Sequence, residues 1–352
     1  MTVWVSRYGP DSTGGVEYLF RPISEAAGFS FYLCMSSNRK LVPSLTFKNK
    51  MVIFVGENWG RIGRIDLNLS VMIFGIFLAL IGKKTFVHLP FIQALPICFL
   101  SSCQNVMVHS LSNSGKLGKI HERLLISCIR RHRVNTTCNA IRDALHRHDA
   151  TLHITVTGVC LSKEDESLAK DVWNRKENEQ PVRCGRRFIF CGRNARYKGL
   201  NYILDAWWEH SISHPEDRLV LVGPGTEALK GRSRSLDALG FADKEVMYNE
   251  IKKSDYLILA SIDEGEAFGI VQVEAMFLGV TPIVTDVGTG THHVAGPFAT
   301  VIAPKSVEEL ISSMKNAPIR GGVEREKARH YALKNYGRNH VIPKYQEFLS
   351  VE

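Results

Sequence analysis

Apolar residues fall in short blocks separated by polar turns. Val3–Ser6, Phe29–Met35 and Met51–Gly56 are runs rich in aromatic and β-branched residues, as buried strands require. KTFVHLP, NVMVHS, RVNTTC and LHITVTGV continue the series as far as residue 159. Between these runs lie stretches with helical spacing: residues 67–82, a helix near 91–103, and KIHERLLISCIRRHR at 119–133. NAIRDAL is a further helix, for which Asn139 is the expected cap. A second series begins at RRFIFCG (186–192) and runs through the helix GLNYILDAWWEH, the strand RLVLVGPG and a third strand, LDALGF. It continues with the helix KEVMYNEIKKS, the strand DYLILAS, the helix GIVQVEAMFLG, the strands TPIVTD and ATVIAP, and helices to the end. Strands alternating with helices predict parallel sheets, and so a doubly wound α/β fold.

The polar stretch LSKEDESLAKDVWNRKENEQP, 161–181, reads as a connection. The expected division is a first Rossmann-like domain over 1–160, a linker over 161–185, a second such domain over 186–335, and a C-terminal helix over 336–352 free to pack back on the first. The 352 residues suit about two domains at ~150 residues each. With 45% apolar and 22% charged residues, the chain is neither disordered, nor collagen-like, nor a coiled coil.

The eight cysteines show no C-x-x-C and no zinc-finger spacing, and read as free thiols. MTVWVSRYGP reads as a strand and a turn rather than a secretory signal, so the expected location is cytoplasmic. Residues 67–82 are apolar but shorter than the ~20 residues a bilayer core needs, and Asn68 and Ser70 interrupt them. A buried helix is the expectation there, with interfacial insertion as the alternative. Charge is uneven: residues 1–160 hold 18 Lys/Arg against 8 Asp/Glu, and residues 161–352 hold 26 against 27. The basic segment 119–133 fits two readings, a core-packed helix with a solvated basic face or a face lying on an anionic bilayer. A basic half could also meet nucleic acid, but no interleaved aromatic pattern accompanies it, and no nucleic-acid partner is expected.

Three segments carry candidate chemistry. In ASIDEGEAFGIVQVEAMFLGVTPIVTD (260–286), a strand leads through an acidic loop into a helix, with Glu266 before it and Glu274 eight residues later. Phe268, Gly269 and Ile270 open that helix, where free N–H groups and the helix dipole suit a diphosphate. The same acidic residues could equally serve only to stabilise the dipole. In FIFCGRNARYKGLNYI (188–203), Arg193 and Lys198 lie on a strand-to-helix loop, where cations reach phosphate oxygens unless they are simply exposed surface charges. Gly14 and Gly15 follow the first strand, a pair able to form a close-approach turn. Neither G-x-G-x-x-G nor G-x-x-x-x-G-K-[ST] occurs, which argues against a dinucleotide dehydrogenase or a P-loop NTPase.

FCGRNARYKGLNYILDA, LVLVGPG and EAFGIVQVEAMFLGVTPIV together resemble the C-terminal half of the retaining GT-B glycosyltransferases of glycosyltransferase family 4. Glu266–Glu274 fits that family's E-x7-E motif, GPDSTGGVE its opening Gly-Gly loop, and CNAIRDAL with HITVTGV the close of its first half. The chain departs from the family in the ten residues TEALKGRSRS, where a longer segment is usual, and in TGVC for N-G-V-D.

The resemblance implies two Rossmann-like doubly wound domains facing each other across a cleft. It also implies retaining transfer of a sugar from a UDP- or GDP-linked donor to a hydroxyl acceptor, with no metal and no other cofactor. Arg193 and Lys198 would neutralise the donor diphosphate, with help from the N–H groups around Phe268, Gly269 and Ile270. Glu274 would hold the ribose, Glu266 would face the transferred sugar, and Gly14 and Gly15 would close over the phosphate. The family's sugar-contacting histidine resembles His109, at the end of NVMVHS; His88 ends the neighbouring strand, and each could instead be structural. Glu264 competes with Glu266 but lacks the spacing.

Front-face attack assisted by the leaving phosphate needs no protein nucleophile. A lipid-linked saccharide acceptor, as in bacterial O-antigen, capsule or exopolysaccharide assembly, would suit the basic half, with the protein peripheral on the cytoplasmic face of the inner membrane. The alternatives are a non-catalytic sugar- or nucleotide-binding protein and a sugar-nucleotide epimerase of the same architecture.

Overall fold

The computed structural model describes the strands between residues 2 and 108, residues 123, 126 and 127, and residues 129–350 apart from 176–184, 264 and 267. The chain forms two compact units, one of Met1–Cys160 with Asn339–Glu352 and the other of Leu161–Arg338.

In the first unit, β1 (Thr2–Ser6), β2 (Phe31–Ser36), β3 (Val42–Phe47) and β4 (Lys50–Gly56) precede a small antiparallel pair, β5 (Gly60–Ile62) and β6 (Ile65–Leu67). β7 (Lys84–Leu89), β8 (Asn105–Val108), β9 (Arg133–Thr136) and β10 (Ile154–Val156) follow. The large sheet runs β10-β9-β8-β7-β1-β2-β4-β3 and is parallel except for β3. β3 departs from the strand–helix alternation of the sequence. It pairs antiparallel with β4 at the sheet edge, where Pro43, which has no N–H to donate, is tolerated.

Helix α1 (Asn139–His148) starts one residue earlier than expected: Cys138 holds the cap position and no side chain caps the helix, so Asn139 is already inside it. The C-terminal helix α8 (Arg338–Ser350) belongs largely to this unit. Its Tyr345 hydroxyl donates to the Gly158 carbonyl at 2.9 Å, and its Phe348 ring lies 4.7 Å from the Arg133 guanidinium carbon. Gly14, Gly15 and His109, the segment 67–82 apart from Leu67, the segment 91–103 and most of the basic segment 119–133 lie outside the described residues; Leu67, expected in a helix, ends β6, and His88 lies within β7. Among the described residues no helix is long and apolar enough to cross a membrane.

The second unit opens with α2 (Lys163–Asn174). Much of the charged stretch read above as a connection is therefore helical. Ser162 caps it by accepting the Asp165 N–H, Ala169 and Val172 are buried, and the helix packs on two others of the unit, α4 and α5. These lie in the series β11 (Arg187–Cys191), α3 (Leu200–Ser213), β12 (Arg218–Val222), β13 (Leu236–Gly240), α4 (Lys244–Lys252), β14 (Tyr256–Leu259) and α5 (Ile270–Phe277). β15 (Thr281–Thr285), β16 (Thr300–Ile302), α6 (Val307–Lys315) and α7 (Gly322–Tyr336) complete the unit.

Its sheet is wholly parallel, in the order β13-β12-β11-β14-β15-β16. The order reverses between β11 and β14. The crevice outside the carboxyl ends of those two strands is where such sheets bind ligands. Phe188, Phe190, Leu221, Ile258, Ile283 and Trp207 fill one face of the sheet. At the opposite end, Arg186 pairs with Asp217 and also donates to the carbonyls of Met314 and Lys315, fastening the end of α6 to the sheet.

Candidate functional site

β11 ends at Cys191, and the chain passes through Gly192 and the single 3-10 turn Arg196–Lys198 into α3. Gly199 joins turn to helix at φ +68°, and a Cβ there would stand 1.9 Å from the Ala260 carbonyl oxygen. Glycine alone lets the Lys198 turn close against the end of β14. The Ile262 N–H donates to the Tyr197 carbonyl at 2.8 Å and fixes that contact. The loop after β12 joins in through the Asn194 N–H, which donates to Pro224 O at 2.9 Å. Gly199→Ala is expected to lower stability by ~2 kcal/mol or more, through the left-handed backbone and the clash together, read as a fall in melting temperature against Gly192→Ala.

That closure places Lys198 on Glu266. Lys198 Nζ makes a direct ion pair with Glu266 Oε2, which also accepts from Ser261 Oγ at 3.3 Å. Glu266 is 8% exposed, and its Oε1 has no hydrogen-bond partner among the described residues. The residue lies four positions before α5, in a loop, and Glu274 is the fifth residue of the helix.

Gly269 takes the cap position of α5 at φ +72°, where a Cβ would come 2.6 Å from Leu259 Cδ2. No side chain caps this helix; the Gln272 N–H turns back to Gly269 O at 2.9 Å, which leaves the N–H groups of Ile270 and Val271 at the positive end of the dipole. Phe268, just before it, is buried edge-on against Tyr336, with ring centroids 5.9 Å apart.

Glu274 is 3% exposed, inside α5. Its Oε1 takes a direct ion pair from Lys244 Nζ and a 3.1 Å hydrogen bond from the Tyr248 hydroxyl, both on α4. Burial first, then the Glu274 charge, raise the Tyr248 phenol well above its usual pKa, so it stays a donor. The same two causes, burial before charge, keep the Cys191 thiol protonated at the end of β11. Glu274 Oε2 has no hydrogen-bond partner among the described residues. Both glutamates thus use one oxygen on a lysine and leave the other available to a ligand hydroxyl.

Of the residues singled out from sequence, the structure brings Lys198 and Glu266 together, and sets Phe268, Gly269 and Ile270 at the start of the helix that carries Glu274. Arg193 is exposed on the same loop as Lys198, without an ion pair among the described residues. Glu264 lies outside the described residues. Sequence reasoning missed Lys244, Tyr248 and Ser261. A lysine and a tyrosine four residues apart, on the helix after the third strand of this unit, were the available signal. Among the described residues no group of three or more His, Cys, Asp or Glu side chains could hold a metal ion.

Residues 185–317 match the family described as "Glycosyl transferases group 1". D-rhamnosyltransferase WbpZ of Pseudomonas aeruginosa is 26% identical over 161 residues, spanning 43% of this chain and 41% of that protein. Among solved structures, sucrose-phosphate synthase from Thermosynechococcus elongatus superposes with a TM-score of 0.71 at 15% identity, covering 98% of this chain and 97% of the other. HepE from Anabaena, in complex with UDP and glucose, superposes with a TM-score of 0.69 at 15% identity, covering 100% and 99%. The fold of the chain is therefore that of the GT-B glycosyltransferases, and its residues 185–317 match the group 1 glycosyl transferases.

Proposed function

We propose that the protein is a glycosyltransferase moving a sugar from a nucleotide-activated donor to a hydroxyl acceptor, with the donor held by the second unit. The observation that carries this reading is the pair of nearly buried glutamates, Glu266 and Glu274, before and within a helix whose N-terminus opens at the switch point of the sheet. The N–H groups of Ile270 and Val271 at the start of α5, with Lys198 and Arg193, would take the donor diphosphate and stabilise the departing nucleoside diphosphate. Glu274 Oε2 would accept the ribose hydroxyls, and Glu266 Oε1 those of the sugar. Phe241 follows β13 and is 79% exposed, three residues before Lys244, and offers an apolar face to the base.

The match to a D-rhamnosyltransferase and the fold shared with a protein solved with UDP and glucose support this reading. The finer parts of the proposal are retention at the anomeric carbon, independence from metal, and a lipid-linked saccharide acceptor of bacterial surface polysaccharide met at an anionic membrane surface through the basic first half. GDP-linked donors stand beside UDP-linked ones. The test is nucleoside diphosphate release from UDP- and GDP-sugars, with and without a polyprenyl-diphosphate saccharide, in EDTA. One donor should turn over, only with an acceptor and at an unchanged rate in EDTA. No release from any donor with any hydroxyl acceptor would contradict the proposal.

A further inference from the structure

The loop after β15 grips Glu266 from the neighbouring strand. Thr285, the last residue of β15, donates through Oγ1 to the Ser261 carbonyl at 2.6 Å, pinning the start of the Glu266 loop. The chain then turns through Gly288 and Gly290, at φ +75° and +86°. Thr289 Oγ1 donates to the Glu266 carbonyl at 2.6 Å, and the Thr289 and Thr291 hydroxyls lie 2.6 Å apart. A threonine hydroxyl carries one proton. If Thr289 spends its proton on Glu266, Thr291 donates to Thr289, and the longer 3.3 Å approach of Thr291 to Glu266 is the weaker alternative.

The two hydroxyls therefore form a relay ending on the Glu266 peptide, and each bond polarises the next. Thr291 is fully buried, and its own carbonyl accepts from Gln272 Nε2 at 3.0 Å, which ties the relay to α5. The Glu266 N–H makes a long 3.4 Å bond to Asp263 O.

We propose that Thr289, backed by Thr291, is a positioning residue that sets the Glu266 carboxylate against the donor sugar. This rests on the reading of Glu266 given above. Side-chain bonds from Lys198 and Ser261 fix one oxygen, and the relay fixes the main chain from which the carboxylate hangs, so the open oxygen has one direction.

Thr289→Val keeps the shape and removes the donor. It should lower kcat about tenfold, the scale of a displacement below 1 Å. The dissociation constant for the nucleoside diphosphate should stay within about twofold, because the diphosphate groups are elsewhere. Thr289→Ser should restore kcat. Thr289→Ala, which removes the donor with less bulk, gives the same readout if the valine variant does not fold.

An unchanged kcat in the folded Val or Ala variant would overturn the inference. So would losses in kcat and nucleotide affinity that track a lowered melting temperature and are not rescued by serine, since those mark a merely structural loop. Glu266→Gln serves as the separate control: if it retains full turnover, the reading of Glu266 fails, whatever Thr289 does.

Discussion

Glu266→Gln is expected to lower kcat by roughly 10²–10³-fold in a protein that still folds, the scale of removing one preorganised group from a transition state. Glutamine keeps the shape and an acceptor oxygen but loses the charge and one acceptor position. The carboxylate is nearly closed off from water, with one oxygen on Lys198 and Ser261 and the other open. The neutral amide would hold the loop in place yet offer a weaker acceptor to the sugar hydroxyls, and it would leave Lys198 without its counter-charge. Steady-state kinetics with melting curves on the same preparation check this. Wild-type kcat in the variant would remove Glu266 from the chemistry.

Lys198→Ala is expected to cost as much in kcat/KM, roughly 10²–10³-fold, and also to destabilise the protein. Its ammonium is the partner of a carboxylate only about 10% exposed, and removing it leaves that charge stranded. Adding Glu266→Gln to Lys198→Ala should then recover melting temperature without recovering turnover. That combination separates the stability of the pair from its chemistry. A double variant no more stable than Lys198→Ala alone would show that the pair is not coupled in this way.

Much of the second unit was legible in the sequence. Apolar runs such as RRFIFCG and DYLILAS, broken by helical stretches, lie where β11 and β14 lie, because a strand buried on both faces leaves a continuous apolar signature. β3 was not legible. Its antiparallel pairing is a matter of which edge accepts it, and VPSLTF carries no mark of direction. The stretch over α2 looked like a connection because charge dominates it, yet Ala169 and Val172 on one face are enough to bury it.

In the site, spacing picked out Glu266 and Glu274. What holds them lies far along the chain: Lys244 is 30 residues from Glu274, and Lys198 is 68 from Glu266. Such partners meet only through the sheet order, and a sequence pattern names them only where a motif already includes them. Lys198 stood beside a glycine on a strand-to-helix loop and was found; Lys244, on a helix face among other charges, was not.

The second unit is expected to bind an activated sugar through its nucleoside diphosphate on Lys198 and the start of α5. Calorimetry of the whole chain with UDP-, GDP-, ADP- and CMP-sugars, beside Lys198→Ala and Glu274→Gln, tests it most directly. One nucleotide should bind the wild-type protein, and each substitution should weaken binding at least tenfold. Folded wild-type protein that binds none of the four, or binding that both substitutions leave unchanged, would contradict it.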